Sequence, residues 1–307
     1  MSFSLNDAQL DDRFEQIPVL AGLPRQLEEL SGGLTNRNVK VTTPDGVYVA
    51  RCCDTTSNLL GIDREQEHFN TRAAEQAGVG APVIDFRPDM GILLLGYLEG
   101  KTLANADFQR PGVVAKAARS IRTLHQGPRF QGDFDMFARQ AAYLATVKDR
   151  GYALPPGYDD HADAWHDVRR ALAAAPRPTV PCNNDLLAGN FIEDGDKIWL
   201  IDYEYSGNND PCFELGNTAT ECGFEPEQVQ AYVEAYFGTP TPADRARVRL
   251  QMLCSEYGWS LWGFIQAAAS SIDFDFLAWG QERFDKAART FTSPELDRLL
   301  EEVVRDD

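Results

Sequence analysis

The fold and the chemistry of this chain are decided by two neighbouring stretches, CNNDLLAGN at positions 182–190 and WLIDYE at positions 199–204. In the first stretch Asp185 is followed five residues later by Asn190, and in the second Asp202 comes directly after a short apolar run. Phosphoryl transfer requires a carboxylate beside the attacking hydroxyl, and acidic or amide oxygens that hold Mg²⁺ against the phosphates. The spacing therefore predicts Asp185 as the catalytic carboxylate, and Asn190 and Asp202 as metal ligands.

The residues before this segment divide into strands around one helix. We predict strands at 27–31, 38–42, 47–52, 82–86 and 92–95, and a helix at 62–76. A TPDG turn separates the second strand from the third. The order of three strands, a helix and two strands is that of the N-terminal lobe of a protein kinase. We therefore assign residues 1–97 to an N-terminal nucleotide-binding lobe.

The rest of the chain is mostly helical in its pattern. Helices are predicted at 112–125, 134–149, 160–174, 225–237, 243–269 and 274–290. Two short strands at 191–193 and 198–201 flank a DGD turn, and this hairpin brings Asn190 and Asp202 to one end. The predicted fold class is α+β: a protein-kinase-like two-lobe fold, with a five-stranded antiparallel N-lobe and a mostly helical C-lobe over residues 98–307.

A glycine-rich segment, SGGLTN at 31–36, lies between the first two predicted strands. Glycine lets backbone N–H groups approach phosphate oxygens closely, and threonine and asparagine side chains add hydrogen-bond donors. An ordinary glycine-rich hairpin is the alternative, because the segment matches neither GxGxxG nor the Walker A pattern. Its position ahead of the catalytic segment favours phosphate binding. The predicted nucleotide-binding residues are Gly32, Gly33, Thr35, Asn36, Arg51, Glu67 and, on the connector at 96–100, Tyr97.

Arg51 on the third strand and Glu67 on the following helix are the predicted phosphate-side ion pair. In protein kinases a basic residue on this strand contacts the α- and β-phosphates and is held by a carboxylate from the next helix. Helical spacing puts Glu67 on one face with Asn70 and Ala74, and we expect that face to point inward. A surface arginine beside a solvated acidic helix is the alternative, and the order of strand and helix favours the ion pair.

Three tryptophans form the candidate acceptor site. Trp259 and Trp262 are three residues apart, so a helix presents them on one face, and Trp279 lies on the next predicted helix. Aromatic faces near carboxylates surround an alkylammonium ion through cation–π attraction. Aromatic residues at helical spacing belong more often to a core than to a ligand site, so the sequence pattern alone leaves core packing as the favoured alternative.

The balance of 29 basic and 47 acidic residues gives a net charge of −18. Nucleic acids and anionic membranes are bound by basic patches, so this charge argues against both partners. The N-terminus lacks the basic start and apolar core of a signal peptide, and no apolar run approaches transmembrane length. None of the six cysteines forms a CxxC pair or a zinc-spaced set with histidine. We expect a cytoplasmic protein with reduced thiols and no stable membrane insertion.

The sequence resembles the choline/ethanolamine kinase family, within the wider aminoglycoside phosphotransferase and protein-kinase-like group. The similarity extends from about residue 30 to about residue 284. Its most specific segments are IDYEY at 201–205, FELGN at 213–217 with Glu221, and WSLWG at 259–263 continued through Arg283 and Phe284. The last segment separates choline-kinase-like proteins from more general relatives, and it is the strongest indication of the acceptor.

The resemblance implies that ATP binds between the lobes with Mg²⁺, and that a phosphoryl group passes to the hydroxyl of a small amino alcohol. By position it implies Asp185 as the catalytic residue, Asn190 and Asp202 as metal ligands, and Arg51 as the basic residue of the third strand. It implies an acceptor pocket lined by Tyr205, Trp259, Trp262 and Trp279. Glu204 is expected to supply negative charge beside that pocket.

Three residues depart from the family's usual pattern. Asn183 stands where the catalytic loop usually begins with histidine, Glu214 replaces a usual aspartate, and Trp279 replaces a usual tyrosine. That histidine is mainly a structural support, so the departure at Asn183 concerns the geometry of the loop. The change at Trp279 alters the pocket wall and leaves choline and ethanolamine both open.

We therefore expect a Mg²⁺-dependent kinase that phosphorylates choline or a closely related amino alcohol. One alternative keeps the chemistry but uses ethanolamine or an aminoglycoside-like acceptor. The other is a non-catalytic, nucleotide-binding pseudokinase, which Asn183 alone supports. Paired tryptophans favour a small methylated cation over a polyhydroxylated antibiotic. The oligomeric state stays open, with a homodimer as one option.

Overall fold

The computed structural model describes residues 7–30, 36–53 and 60–305. Its N-terminal part is built on a five-stranded antiparallel sheet with the strand order β1-β2-β3-β5-β4. The elements of this part are α1 (Asp7–Phe14), β1 (Gln26–Leu30), β2 (Arg37–Thr43), β3 (Gly46–Cys52), α2 (Arg64–Gln76), β4 (Val83–Arg87) and β5 (Ile92–Gly96). The five predicted strands and the helix between them are confirmed, and no end differs from its prediction by more than two residues.

One face of this sheet is covered by α1, which the sequence analysis did not predict. Leu10 and Phe14 of α1 pack with alternate buried residues of β2, β3 and β5 in one apolar cluster, to which Ala50 belongs. Because successive side chains of a strand point to opposite faces, Arg51 is turned to the other face. There it meets α2 and the C-terminal part of the chain.

Helix α2 begins at Asp63, whose carboxylate accepts hydrogen bonds from two backbone N–H groups of the first turn. Glu67, Asn70 and Ala74 are buried on one face of the helix, as their spacing predicted. Two of these three side chains are polar, so the buried face of α2 carries hydrogen-bonding and charged groups into the interior.

The C-terminal part is mostly helical. Its helices are α3 (Val113–His125), α4 (Met136–Arg150), α5 (Ala162–Ala174), α6 (Pro211–Glu221), α7 (Pro226–Phe237), α8 (Pro242–Ala269), α9 (Phe276–Phe291) and α10 (Pro294–Glu302). Its short strands are β6 (Lys101–Thr102), β7 (Val180–Cys182), β8 (Phe191–Asp194), β9 (Lys197–Leu200) and β10 (Gly207–Asn209). The β8–β9 hairpin and six of the helices are confirmed. Helices α6 and α10 and strands β6, β7 and β10 were not predicted.

Helix α8 is the central element of the C-terminal part. It is 28 residues long, and every residue from 250 to 266 is buried because α4, α6, α9 and α10 pack around it. This packing buries Trp259 and Trp262. Despite its length, α8 is not apolar enough to cross a membrane. No other described helix is both long enough and apolar enough to do so.

Candidate active site

The catalytic segment is a tight loop between β7 and β8, fixed by hydrogen bonds. The Nδ2 atom of Asn190 donates to the backbone oxygen of Asp185 at 2.7 Å, and the backbone N–H of Ile201 donates to the backbone oxygen of Asn190 at 3.0 Å. Strands β8 and β9 pair with Phe191 opposite Leu200, so the residues just outside the hairpin are neighbours. The hairpin therefore places Asn190 beside the segment that follows β9.

Asp202 follows that strand with an unusual backbone. Its φ angle is +67°, and Asn184 on the catalytic loop has the same value; both lie in the left-handed region that few non-glycine residues adopt. The Nδ2 atom of Asn183 donates to the backbone oxygens of Ile201 at 3.1 Å and Asp202 at 2.8 Å. Its Oδ1 atom accepts from the backbone N–H of Asp185 at 3.1 Å. One asparagine thus joins both segments at the position where the family usually has histidine.

The side-chain oxygens of Asn190 and Asp202 fit a magnesium ion. The amide nitrogen of Asn190 is engaged inside the loop, and no described residue hydrogen-bonds to its Oδ1 atom. The Oδ1 atom of Asp202 lies 2.5 Å from Nη2 of Arg51, and 22% of this aspartate side chain is exposed. Amide and carboxylate oxygens are donors that Mg²⁺ accepts, together with water and phosphate oxygens. The two residues therefore offer oxygen donors of the type that Mg²⁺ binds, and the Asp202 carboxylate is partly accessible.

Asp185 lies in strongly acidic surroundings. Burial raises its pKa well above the usual range, and the carboxylates of Asp202, Glu221 and Glu204 raise the pKa further, whereas Arg283 lowers it. Asp185 therefore lies within electrostatic reach of all four groups. A negative potential of this kind attracts cations, and a carboxylate with a raised pKa accepts a proton readily.

Arg51 is the centre of a buried group of charges. Its Nε atom lies 2.8 Å from Oε1 of Glu67, and its Nη2 atom lies 2.5 Å from Asp202 and 3.2 Å from Oε2 of Glu204. Burial alone would lower the pKa of Arg51, but the charges of these three carboxylates outweigh it and hold the pKa well above its usual value. The arginine is therefore a permanent cation at the edge of the catalytic segment.

Glu204 is hydrogen-bonded to this charged group, whereas the sequence analysis placed its charge beside the acceptor pocket. Its Oε2 atom accepts from Nδ2 of Asn36 at 2.7 Å and lies 3.3 Å from Nη1 of Arg64. Arg64 also contacts Oε2 of Glu67 at 2.6 Å and Oδ1 of Asn36 at 3.0 Å. Sequence reasoning missed Arg64, for which the only signal is its position three residues before Glu67. Asn36 and Arg64 thus link the N-terminal part to the catalytic segment.

Four other residues, three before Asn36 and one on the connector, were predicted to bind the nucleotide. Gly32, Gly33 and Thr35 lie outside the described residues, immediately before Asn36. The ring of Tyr97 lies under Lys40, with Nζ 4.5 Å from the ring centroid, and its backbone N–H donates to Val47 at 3.1 Å. Tyr97 is therefore held against β2 and the start of β3, and its contact with a nucleotide stays a prediction.

A buried carboxylate beneath the catalytic loop holds the loop backbone. Glu214 on α6 accepts from the backbone N–H groups of Asn183 at 2.9 Å and Asn184 at 3.1 Å, and its Oε2 atom lies 2.7 Å from Nε2 of His125. His125, the last residue of α3, is bonded through Nδ1 to the hydroxyl of Tyr236 at 2.7 Å. His125 therefore ends its helix and has a structural role, linking Glu214 to Tyr236.

Cys182 lies beside His125 and Glu214. A thiol, an imidazole and a carboxylate, each of a type that can bind a metal, therefore stand close together. The short distance between histidine and glutamate is that of a hydrogen bond, and both oxygens of Glu214 already accept backbone N–H groups. Burial and the nearby Glu214 and Asp210 raise the pKa of the Cys182 thiol well above its usual value, which disfavours the thiolate. The arrangement is a structural hydrogen-bond network.

The four aromatic residues predicted to line the acceptor pocket form one chain of contacts. The ring centroids of Tyr205 and Trp259 are 5.0 Å apart, and those of Trp262 and Trp279 are 5.2 Å apart. The indole N–H of Trp262 donates to the hydroxyl of Tyr205 at 3.0 Å, which joins the two pairs. Trp279 is half-buried and the other three are buried. The rings therefore belong to the core, as the alternative held, and also present an accessible end at Trp279.

Two glycines explain why α8 and α9 bring these tryptophans together. A Cβ atom on Gly263 would lie 2.8 Å from the Cα of Gly280, and one on Gly280 would lie 2.8 Å from the backbone oxygen of Ser260. Each glycine is the neighbour in sequence of a tryptophan, Trp262 or Trp279. The close approach of the two helices at the glycines therefore sets the separation of the two rings.

A buried ion pair completes this aromatic group. The Nε atom of Arg283 lies 3.0 Å from Oε1 of Glu221, and its Nη2 atom is bonded to the other oxygen. The guanidinium carbon lies 3.3 Å from the centroid of the Trp279 ring. The sequence analysis named both residues within family-specific segments but assigned them no role. Residues 62 positions apart give no local sign in the sequence that they form an ion pair.

Comparisons with known proteins agree with the kinase-like fold. The model of the phosphotransferase enzyme family matches residues 26–250. The crystal structure of a choline/ethanolamine kinase family protein from Mesorhizobium loti is 34% identical, with a TM-score of 0.86 over 97% of this chain and 98% of that chain. The probable ethanolamine kinase A of Dictyostelium discoideum is 28% identical over 298 residues, which is 86% of this chain and 85% of that protein. Protein LicA of Haemophilus influenzae is 27% identical over 244 residues, which is 75% of this chain and 70% of that protein. The chain therefore belongs to the choline/ethanolamine kinase family, a group of ATP-binding small-molecule kinases within the phosphotransferase enzyme family.

Proposed function

We propose that this protein transfers the γ-phosphoryl group of ATP to the hydroxyl of choline or a closely related amino alcohol, with Mg²⁺ held by Asn190 and Asp202. The observation that carries the proposal is that Asp185, Asn190 and Asp202 are joined in one hydrogen-bonded loop, with Arg51 bonded to Asp202. Besides burial, Asp202 and Glu204 near Arg51, and Glu221 near the aromatic group, all raise the pKa of the Asp185 carboxyl. A nucleotide and an ammonium compound would meet at this carboxylate.

In this proposal Asp185 orients the acceptor hydroxyl and takes up its proton as the new bond forms. The hydroxyl oxygen bonds to the γ-phosphorus, the bond from that phosphorus to the bridging oxygen breaks, and ADP leaves with the bonding electrons. Such a reaction depends on positioning and on charge neutralisation more than on covalent help. Arg51, anchored by Glu67, supplies a fixed positive charge on the nucleotide side. When bound, Mg²⁺ would neutralise further phosphate charge.

The proposed nucleotide site joins the N-terminal sheet to the catalytic segment. Asn36, just before β2, and Arg51 of β3 meet at Glu204, and Glu67 of α2 holds the arginine in place. This convergence supports binding of the phosphates at the same point. The remaining members of the proposed site are Gly32, Gly33 and Thr35, just before Asn36, and Tyr97 on the connector.

The proposed acceptor site is the aromatic group. A trimethylammonium ion has no N–H donor, so aromatic faces suit it better than a ring of hydrogen-bond acceptors. Trp279 offers accessible ring surface, Trp262 and Tyr205 stand behind it, and Trp259 supports Tyr205 from the core. Glu204 contributes to the negative potential at Asp185.

Ethanolamine is the second candidate acceptor. Its primary ammonium group is positively charged, and the acidic groups around Asp185 would attract it as they would the ammonium of choline. A relative named as a probable ethanolamine kinase points the same way. The pseudokinase alternative has less support, because Asp185, Asn190, Asp202 and Arg51 are all present and stand together.

The test is acceptor-dependent release of ADP from ATP, measured separately with choline, ethanolamine, the two intermediate N-methylated ethanolamines and an aminoglycoside. We expect turnover with an amino alcohol that disappears when EDTA removes Mg²⁺. Trp262→Leu should raise the KM for that acceptor, whereas Trp199→Leu on β9 serves as the matched control. Turnover with the aminoglycoside alone would overturn the proposed acceptor class. ATP binding without turnover on any of these acceptors would overturn the proposed activity.

We also propose a cytoplasmic location, which suits an enzyme that uses ATP and carries free thiols. All six cysteines are unpaired and buried. A homodimer stays a prediction, to be tested by the mass of the protein in solution.

A further inference from the structure

Arg283 joins the aromatic group to α6 through two kinds of contact. It lies four residues after Trp279 on α9, so the two side chains share one helix face, and its guanidinium carbon lies over the indole, 3.3 Å from the ring centroid. The same guanidinium bonds to both oxygens of Glu221. Arg283 therefore covers one face of Trp279 and engages both oxygens of Glu221.

This ion pair is enclosed and fixed. The side chains of Arg283 and Glu221 are 9% and 8% exposed. A buried bidentate ion pair keeps its geometry, because separating the guanidinium from the carboxylate would leave an unpaired charge away from water. Both charges also act on the carboxyl of Asp185, in opposite directions. Because Arg283 lies against the ring of Trp279, the pair borders the proposed acceptor site.

We propose that Arg283 is a positioning residue that sets acceptor specificity: by occupying both oxygens of Glu221, it makes the pocket favour methylated ammonium groups over the primary ammonium of ethanolamine. This inference rests on the proposed function, since it concerns the choice among amino alcohols at the same site. It goes further in assigning that choice to a residue that need not touch the acceptor.

The physical reason is a difference in hydrogen-bond donors. A primary ammonium group must replace its hydrogen bonds to water with bonds to protein acceptors, whereas the quaternary ammonium of choline has none to replace. Arg283 takes one acceptor position on each Glu221 oxygen and neutralises the carboxylate, so Glu221 attracts a hydrogen-bonding ammonium less strongly than a free carboxylate would. Loss of Arg283 would also uncover a face of Trp279, but an aromatic face attracts both kinds of ammonium. A freed carboxylate oxygen would give added hydrogen bonds to ethanolamine alone.

The experiment compares kcat/KM for choline with kcat/KM for ethanolamine in the full-length protein. In Arg283→Met we expect the choline-to-ethanolamine ratio to fall about tenfold, the effect of one hydrogen bond to a charged group. Arg283→Lys should give a smaller fall, because lysine keeps the charge but cannot engage both oxygens as a planar fork. The double variant Glu221→Gln/Arg283→Met, which has no freed carboxylate, should return the ratio towards that of the wild type.

The matched control is Arg289→Met, an exposed arginine on the same helix. If Arg283→Met does not fold, the lysine variant and the double variant carry the test. A merely structural role would lower kcat/KM for both acceptors in the same proportion, and an unchanged ratio in these variants would overturn the inference alone. A wild-type protein that uses neither acceptor would overturn the proposed function together with it.

Discussion

The side chain of Asn183 donates a hydrogen bond to the backbone oxygen of Asp202 at 2.8 Å while its own oxygen accepts from the backbone N–H of Asp185. The proposed catalytic residue and the proposed metal ligand are therefore held in register by one buried amide. An asparagine performs this task because its Nδ2 group supplies two N–H donors, and the second one reaches Ile201. The departure from histidine at this position thus preserves a support for the loop.

Asn183→Ala should lower kcat with little change in either KM. The variant leaves two backbone oxygens without their donor and frees the segment that carries Asp202, so we expect a loss of about ten- to a hundredfold, the cost of one or two buried hydrogen bonds. Asn183→His, which restores a donor, should lose less. Steady-state kinetics with both substrates varied gives the answer, and an alanine variant with the wild-type kcat would contradict the role given to Asn183.

Glu214→Gln should destabilise the protein and impair catalysis together. The glutamate accepts from two backbone N–H groups of the catalytic loop and from His125, and a neutral amide would turn an N–H group towards donors. We expect a loss of about 3 kcal/mol in the free energy of unfolding. Urea unfolding checks the loss, with the exposed Glu227→Gln on α7 as control. Equal stability of the two variants would rule out a supporting role for the buried carboxylate.

Gly280→Ala should weaken acceptor binding more than ATP binding. Its Cβ atom would lie 2.8 Å from the backbone oxygen of Ser260 and 3.0 Å from the ring of Phe264, so α8 and α9 must move apart. Overpacking of this kind costs about 1–3 kcal/mol, and it would separate the rings of Trp262 and Trp279. The expected result is a lower Tm and a raised KM for the amino alcohol. A raised KM for ATP alone would contradict this explanation of the pocket.

Glu256 should make the protein less stable as pH rises. Burial raises the pKa of this glutamate to about 7 in spite of the nearby Arg249 and Lys286, whereas the unfolded chain loses the proton near 4.5. Between these two values the folded state binds more protons, so the free energy of unfolding falls as pH increases. Once the pH exceeds the folded-state pKa of about 7, the free energy of unfolding is lower by about 3 kcal/mol in total.

Glu256→Gln removes this titration while keeping the size of the side chain and an acceptor for Thr220. The variant should therefore be more stable than the wild type at pH 8 and nearly equal to it at pH 4.5. Denaturant unfolding across this range, with the exposed Glu65→Gln for comparison, measures the difference. A stability gain that does not change with pH would show that ionisation of Glu256 is not its cause.

Local patterns account for what the sequence predicted well. Asn190 and Asp202 flank a short hairpin, so their proximity follows from the turn between them. Glu67 faces inward because helical spacing groups it with Asn70 and Ala74, and Arg51 follows from its place on a recognisable strand. In each case the information lies within a few residues of the side chain concerned.

The contacts that sequence reasoning missed join distant parts of the chain. Arg64 meets Glu204 across 140 positions, and Arg283 meets Glu221 across 62. Helix α6 was missed for a different reason: PCFELGNTATE has few large apolar residues, and its small and polar side chains are buried by tertiary packing against α8. A helix of this kind lacks the periodic pattern of large apolar residues from which a helix is predicted.

The most direct test of the account is the single-turnover rate of phosphoryl transfer in Asp185→Asn with ATP, Mg²⁺ and the best acceptor, alongside a separate measurement of ATP affinity. The exposed Asp194→Asn in the β8–β9 turn is the control. If Asp185 orients the hydroxyl and accepts its proton, the rate should fall by about 10²–10⁴-fold while ATP affinity stays close to that of the wild type. A variant that retains the wild-type rate would contradict the proposed role of Asp185 and, with it, the mechanism.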